Sequence, residues 1–162
     1  RAGGFAVARG GAGLAEAKRS AEGTHKHPQG IKGAQATARA SFLAREGAPK
    51  EVIRHELEGR FGYELRRSLT AIRPAYRFDV SCQGSVPESV ISFLAASDWE
   101  SAVRNAISLG GDSDTMACMA GGIAEAFYGP VAVAVRERVR ETLGEELWRE
   151  TDRFYRRFLK EY

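Results

Sequence analysis

The sequence contains only two cysteines, Cys82 and Cys118, which lie far apart without CxxC spacing. This excludes a disulfide framework and favours buried free thiols in a reducing compartment. No stretch approaches the roughly 20 apolar residues that a membrane span needs, and no basic-then-apolar start resembles a secretory signal. We therefore expect a cytoplasmic protein that is not inserted in a membrane.

The sequence also lacks a strong excess of charge of one sign. It contains 24 Lys and Arg residues and 21 Asp and Glu residues, and the basic ones are scattered along the sequence rather than gathered in an arm. This balance does not indicate a nucleic-acid partner. With 43% hydrophobic and 28% charged residues over 162 positions, the composition is that of one compact globular domain.

The opening of the chain differs from the rest. Residues 1–15 are rich in Gly and Ala, do not begin with Met, and contain no acidic residue. This composition is typical of a fragment boundary. We expect an irregular N-terminal segment over residues 1–15 and a helical domain over residues 16–162.

No alternating apolar and polar run is long enough to predict a strand. Helices are indicated instead, over residues 14–22 and 30–45, after Pro49, and from about residues 131 and 145. Ser85 followed by Glu88 has the spacing of a capping box, and Asp98 is expected to cap a helix that ends at Gly110-Gly111. The predicted fold class is all-α, a compact multi-helix bundle.

The most informative segment begins at Gly110-Gly111 and continues through Asp112, Asp114 and Thr115 into a helix. Two carboxylates at this spacing can converge ahead of the helix N-terminus, with the Thr115 hydroxyl beside them. Such oxygen ligands suit Mg²⁺ or Mn²⁺. The alternative is that the two acidic residues only cap the helix.

Small residues follow the acidic pair along the same helix. Two glycines inside a helix cost about 1 kcal/mol each relative to alanine, so another helix or a ligand is expected to need the space. These small residues are Ala117, Ala120, Gly121, Gly122 and Ala124.

Three ordered segments resemble one family. GGDSDTMACMAGGIAEAFYG, from residue 110, resembles the C-terminal signature of the ADP-ribosylglycohydrolase family, GGDTDTxAxxxGxIAxAxYG. EGTHKHPQGIKGAQATARA, from residue 22, resembles the family's TH-x-HP-x-GIKGA segment. SCQGSVPESVISFLAASDWESAVRNAISLGGD, from residue 81, resembles the stretch that leads into the signature. The similarity covers residues 16–129.

This resemblance implies an orthogonal helical bundle, in an incomplete version, and hydrolysis of the glycosidic bond between ADP-ribose and a protein side chain or related acceptor. It implies that Asp112, Asp114 and Thr115 are ligands of a binuclear Mg²⁺ or Mn²⁺ site, and that His25 contacts ADP-ribose near the cleaved bond. Ser85 and Val86 fall where the family lines its nucleotide pocket, although a capping role explains Ser85 equally well.

The sequence departs from the family in one respect, because it contains no Asp-Asp pair. The family's other metal ligands and its catalytic glutamate belong to an N-terminal half. Two carboxylates and a hydroxyl are too few for two ions that each take about six oxygens. We expect weak or no activity from this chain alone, with a second chain or an N-terminal half completing the site.

The expected partner is an ADP-ribosylated protein or a small molecule that contains ADP-ribose. A non-catalytic member, either an ADP-ribose or nucleotide-binding module or a structural, crystallin-like protein, is the alternative. The acceptor residue, the metal and the oligomeric state stay open at this point.

Overall fold

The structure is a computed structural model that describes residues 10–24 and 26–158. These residues form eight helices and no strand, which confirms the all-α class. The helices are α1 (Gly10–Glu22), α2 (Pro28–Arg45), α3 (Lys50–Phe61), α4 (Leu69–Ile72), α5 (Cys82–Leu94), α6 (Trp99–Ser108), α7 (Ser113–Tyr128) and α8 (Val133–Phe158). The described residues divide into two compact units, one up to residue 128 and one from residue 129 onward.

Helices α2, α5 and α7 are the centre of the first unit. Helix α7 packs against α6, α5 and α2, and helix α2 also packs against α1 and α3. The largest fully buried side chains come from α3, α5 and α7 and are Phe93, Ile53, Leu57, Met116, Ile123 and Val90. Burial of this apolar surface holds the first unit together.

Several helix ends follow directly from the sequence. The Asp98 carboxylate accepts the Ser101 N–H at 2.7 Å, and the Ser101 hydroxyl oxygen accepts the Asp98 N–H at 3.0 Å, so the predicted cap of α6 is a complete capping box. Helix α3 begins after Pro49 and ends at Gly62, whose φ of 64° is the left-handed conformation that favours glycine.

The predicted start of α5 is wrong by one turn. Its N-cap is Ser81, whose hydroxyl accepts the Gly84 N–H at 3.2 Å. Ser85 lies inside the helix and donates its hydroxyl to the Ser81 carbonyl at 2.8 Å. Glu88 does not complete a capping box either, because both its carboxylate oxygens accept from Arg67 at 2.9 Å. The spacing of Ser85 and Glu88 therefore does not reflect a capping box at the start of α5.

Helix α1 begins at Gly10, four residues before the predicted start at Leu14. Residues 10–15 are therefore helical where the sequence indicated an irregular segment. Residues 1–9 lie outside the described part of the chain.

The second unit contains α8, which Gly144 interrupts with a non-helical φ of 73° and ψ of 164°. The two predicted final helices correspond to the segments before and after this residue, although the first begins at Val133. The Arg136 guanidinium lies 5.9 Å from the Tyr155 ring centroid, and Arg140 lies 5.9 Å from that of Trp148. The two segments therefore lie side by side.

Over the described residues, no helix is both long and apolar enough to cross a membrane. Cys82 and Cys118 are free thiols, as predicted. Their predicted burial is wrong, because Cys82 is only partly buried and Cys118 is exposed.

Candidate functional site

A tight turn separates α6 from α7 and delivers the predicted acidic residues to the start of α7. Gly110 and Gly111 have φ values of 76° and 69°, a region that residues with a side chain rarely adopt. The Met116 N–H then donates to the Asp112 carbonyl at 3.0 Å, which places Asp112 just ahead of the first helical residue. The two glycines therefore let the chain reverse immediately before the acidic pair.

The carboxyl groups of Asp112 and Asp114 interact with each other. A side-chain hydrogen bond with Asp112 is the largest cause that lowers the pKa of the Asp114 carboxyl. The backbone N–H groups of Thr115 and of Asp114 itself lower it further. Asp114 is exposed, so water screens its charge.

Two carboxylates a hydrogen bond apart repel each other unless a proton or a cation lies between them. The donor set of Asp112, Asp114 and Thr115 consists of hard oxygens and therefore fits part of a Mg²⁺ or Mn²⁺ site. The backbone N–H bonds to Asp114 also fit the alternative, in which the acidic pair stabilises the helix end.

The acidic pair does not complete a metal site with the rest of the described chain. Across residues 10–24 and 26–158, no group of three or more His, Cys, Asp or Glu side chains is placed to hold a metal ion.

A cleft of about 680 Å³ opens between α2, the start of α5 and the start of α7. Small and hydroxyl-bearing residues make up most of its walls, and no carboxylate lines it among the described residues. Helix α2 contributes one wall and residues 80–86 another, and the lining includes Gly33, Ser81, Cys82, Ser85, Val86, Thr115 and Met119.

The structure brings three of the predicted site residues to this cleft. Ser85 and Val86 line one wall, and Thr115 lines another. Thr115 follows Asp114 directly in the sequence, whereas Asp112 and Asp114 are not among the described residues that line the cleft. His27, the second histidine of the THKHP segment, also lines the cleft. His25 lies outside the described residues, and its predicted role stays a prediction.

Sequence reasoning missed the residues that hold the start of α5 at the cleft. Ser81, Cys82 and Gln83 all line it. The Asp79 carboxylate accepts the Ser81 N–H at 2.7 Å, and hydrogen bonds from Ser81 lower the pKa of Asp79. A Cβ on Gly84 would lie 2.0 Å from Oδ2 of Asp79, so a side chain at position 84 would have to displace the Asp79 carboxylate. The available signal was the Asp-x-Ser pattern before Cys82, typical of a helix start.

A family model described as ADP-ribosylglycohydrolase matches residues 2–162. The chain belongs to the ADP-ribosylglycohydrolase family. The match extends beyond residues 16–129, over which the sequence segments showed the resemblance, and includes α8. No curated protein matches the chain. Membership in the ADP-ribosylglycohydrolase family indicates a hydrolase of glycosidic bonds, built on an all-α fold.

Proposed function

We propose that this chain contributes half of a Mg²⁺- or Mn²⁺-dependent site that hydrolyses the glycosidic bond between ADP-ribose and a protein side chain or related acceptor. The observation that carries the proposal is the position of Thr115. It lines the 680 Å³ cleft and directly follows the interacting carboxyls of Asp112 and Asp114. We propose that a ligand in the cleft reaches the carboxylates of Asp112 and Asp114 past Thr115.

Each side chain has a distinct proposed role. Asp112, Asp114 and Thr115 supply oxygen ligands, and bound divalent ions would stabilise charge at the breaking bond and lower the pKa of a water. Ser85 lies in the cleft wall, but its hydroxyl already donates to the Ser81 carbonyl at 2.8 Å, so it offers a ligand only its acceptor lone pairs. Val86 gives an apolar contact, and His25 stays the candidate beside the cleaved bond.

The site needs further ligands, because the described residues supply two carboxylates and one hydroxyl. We propose that a second chain or an N-terminal half with an Asp-Asp pair and a catalytic glutamate completes it. The proposed partner is an ADP-ribosylated protein or an ADP-ribose-containing small molecule, and the proposed compartment is the cytoplasm.

The test is release of ADP-ribose from an ADP-ribosylated peptide with Mn²⁺ or Mg²⁺ present, measured by chromatography. The chain is assayed alone and with an upstream half supplied. We expect Asp114→Asn to lower the release at least 100-fold, because it removes a metal ligand. Asp98→Asn is the matched control, since asparagine also caps a helix and the same charge is lost at the start of α6.

Two outcomes would overturn the catalytic proposal. One is that Asp114→Asn and Asp98→Asn release ADP-ribose equally fast. The other is that the chain stays silent with metal and the upstream half supplied.

The second candidate is a member that binds ADP-ribose without turnover, and the incomplete donor set favours it. For such a member, we expect calorimetry to show heat of binding for ADP-ribose or Mn²⁺, and the assay above to show no release of ADP-ribose. Loss of the Mn²⁺ heat in Asp114→Asn would support a retained binding site. No heat from either ligand would support a purely structural member.

A further inference from the structure

Tyr76 lies between the acidic turn and the start of α5 and is half-buried there. Its ring packs directly on the Gly111 backbone, since a Cβ added at Gly111 would lie 2.7 Å from Cε1 of Tyr76. The same added Cβ would lie 3.3 Å from the Arg77 carbonyl oxygen. The Tyr76 ring and the Arg77 carbonyl therefore cover one side of the turn that precedes Asp112.

The Tyr76 hydroxyl reaches two other elements. It donates to the Gly84 carbonyl in the first turn of α5 at 3.0 Å, and it lies 3.3 Å from Sδ of Met116 in α7. Met116 is fully buried and stands two residues after Asp114. One side chain thus contacts the turn before the acidic pair, the helix that begins with it, and the helix that carries Ser85.

The surroundings keep this hydroxyl protonated. Burial raises the pKa of Tyr76, and the negative charges of Glu88, Asp79 and Asp112 raise it further. The hydroxyl therefore stays a neutral hydrogen-bond donor at physiological pH.

We propose that Tyr76 is a positioning residue that fixes the acidic pair of α7 relative to the cleft wall formed by the start of α5. Its ring sets the position of the turn at Gly111, and its hydroxyl sets the distance from that turn to Gly84. The part of this proposal that concerns metal binding rests on the proposed function, and the part that concerns local geometry does not.

The geometric part is tested by amide hydrogen exchange of the metal-free chain, which reports local opening. Tyr76→Phe removes the hydroxyl contacts and keeps the ring. We expect exchange of residues 112–116 and 82–85 to become about threefold to tenfold faster, the factor that one lost hydrogen bond gives. Tyr76→Leu also removes the ring contact with Gly111 and is expected to give the larger increase.

The matched control is Tyr128→Phe. The Tyr128 hydroxyl also donates to a backbone carbonyl, that of Ala96 at 2.7 Å, but beyond the opposite end of α5. Tyr128→Phe is expected to leave amide exchange at residues 112–116 unchanged. The proposal is overturned if Tyr76→Phe exchanges like the unmodified chain at these residues, or if Tyr128→Phe accelerates them equally.

Calorimetry with Mn²⁺ tests the metal part. We expect Tyr76→Phe to weaken Mn²⁺ binding about threefold to tenfold while Tyr128→Phe leaves it unchanged. Equal affinity in the unmodified chain and Tyr76→Phe would overturn the effect on the metal site. If the unmodified chain gives no Mn²⁺ heat, the proposed metal site fails, and the exchange measurement alone still decides whether Tyr76 positions the turn.

Discussion

At the scale of single residues, Tyr63 has the most unusual environment. It is only 7% exposed, and its hydroxyl is buried without a hydrogen-bond partner among the described residues. Its ring stacks on Phe61 and lies under the Lys32 ammonium, 4.5 Å from the ring centroid. The ring is therefore well packed, whereas the hydroxyl has lost its hydration without compensation.

Tyr63→Phe is expected to raise the free energy of unfolding by about 1 kcal/mol, because it removes a polar group that is buried and unpaired. Tyr128→Phe is the matched substitution with the opposite expected sign, since the Tyr128 hydroxyl donates to the Ala96 carbonyl. Urea unfolding of both variants measures the difference. A Tyr63→Phe variant that is less stable than the unmodified chain would contradict the structure here.

Because of the buried Tyr63 hydroxyl, we expect the free energy of unfolding to fall at alkaline pH. Burial, and to a lesser extent the charge of Cys82, raises the pKa of Tyr63 from 10.0 to about 12. The unfolded chain then releases this proton at lower pH than the folded chain does. The stabilisation linked to the raised pKa of Tyr63 is fully present below about pH 10 and is lost as the pH rises to about 12. Tyr63→Phe is expected to flatten this part of the curve of stability against pH.

At the scale of helices, the contact between α2 and α5 depends on Gly33. A Cβ on Gly33 would lie 3.1 Å from Cβ of Cys82 and 3.2 Å from Cγ2 of Val86. The nearest of these atoms is bonded to backbone, so it cannot rotate away. The structure therefore shows α5 as a close-packing partner of α2 at this position.

Gly33→Ala is expected to lower the free energy of unfolding by about 1 kcal/mol, because overpacking at α5 outweighs the gain in helix propensity. Gly122→Ala is the matched control inside α7. A Cβ there meets no atom within 4 Å, so the propensity gain of about 1 kcal/mol is expected in full. Thermal unfolding that shows the same sign for both variants would refute this account.

The neighbouring glycines of α7, Gly121 and Gly122, have different surroundings. Gly121 has the close neighbour that the sequence suggested, because its Cβ would lie 3.2 Å from Cγ2 of Val103 in α6. Gly122, its neighbour in sequence, faces open space. Pattern alone does not separate the two, since adjacent helix positions point about 100° apart and the partner helix is set by tertiary packing.

The start of α5 shows why one boundary was mispredicted. Ser85 and Glu88 have capping-box spacing. The Glu88 carboxylate, however, forms an ion pair with the Arg67 guanidinium, which is 21 residues away in sequence. A contact of this kind is tertiary and leaves no local signal. Asp98 was predicted correctly because its capping partner, Ser101, is only three residues away.

At the scale of the whole molecule, the sequence predicted the all-α class, the turn at the acidic pair and the membership in the family. These depend on local glycines, on helix periodicity and on motifs, all of which lie in contiguous segments. The cleft could be predicted only in part, because it brings together Gly33, Ser81 and Thr115, which are far apart in sequence. The contacts of Tyr76 and the pairing of Glu88 with Arg67 were missed for the same reason.

Lys50 joins three helices of the first unit. From the first position of α3, its ammonium donates to the carbonyls of Leu94, at 3.2 Å, and Ala96 at the end of α5. It also lies between 5.3 and 5.7 Å from the ring centroids of Phe93, Phe127 and Tyr128. The positive charge thus faces the negative end of the α5 dipole and three aromatic rings.

Lys50→Met keeps the aliphatic stem and removes the charge, so it is expected to cost about 2 kcal/mol, the scale of a charged hydrogen bond. For a chain of this size that corresponds to a fall in Tm of roughly 4–8 °C. Lys18→Met is the control, because Lys18 is exposed and its ammonium lies 3.8 Å from Glu22, so its loss is expected to stay within about 0.5 kcal/mol. Calorimetric melting of both variants decides the point: equal Tm values would mean that the ammonium does not hold α3 to α5 and α7.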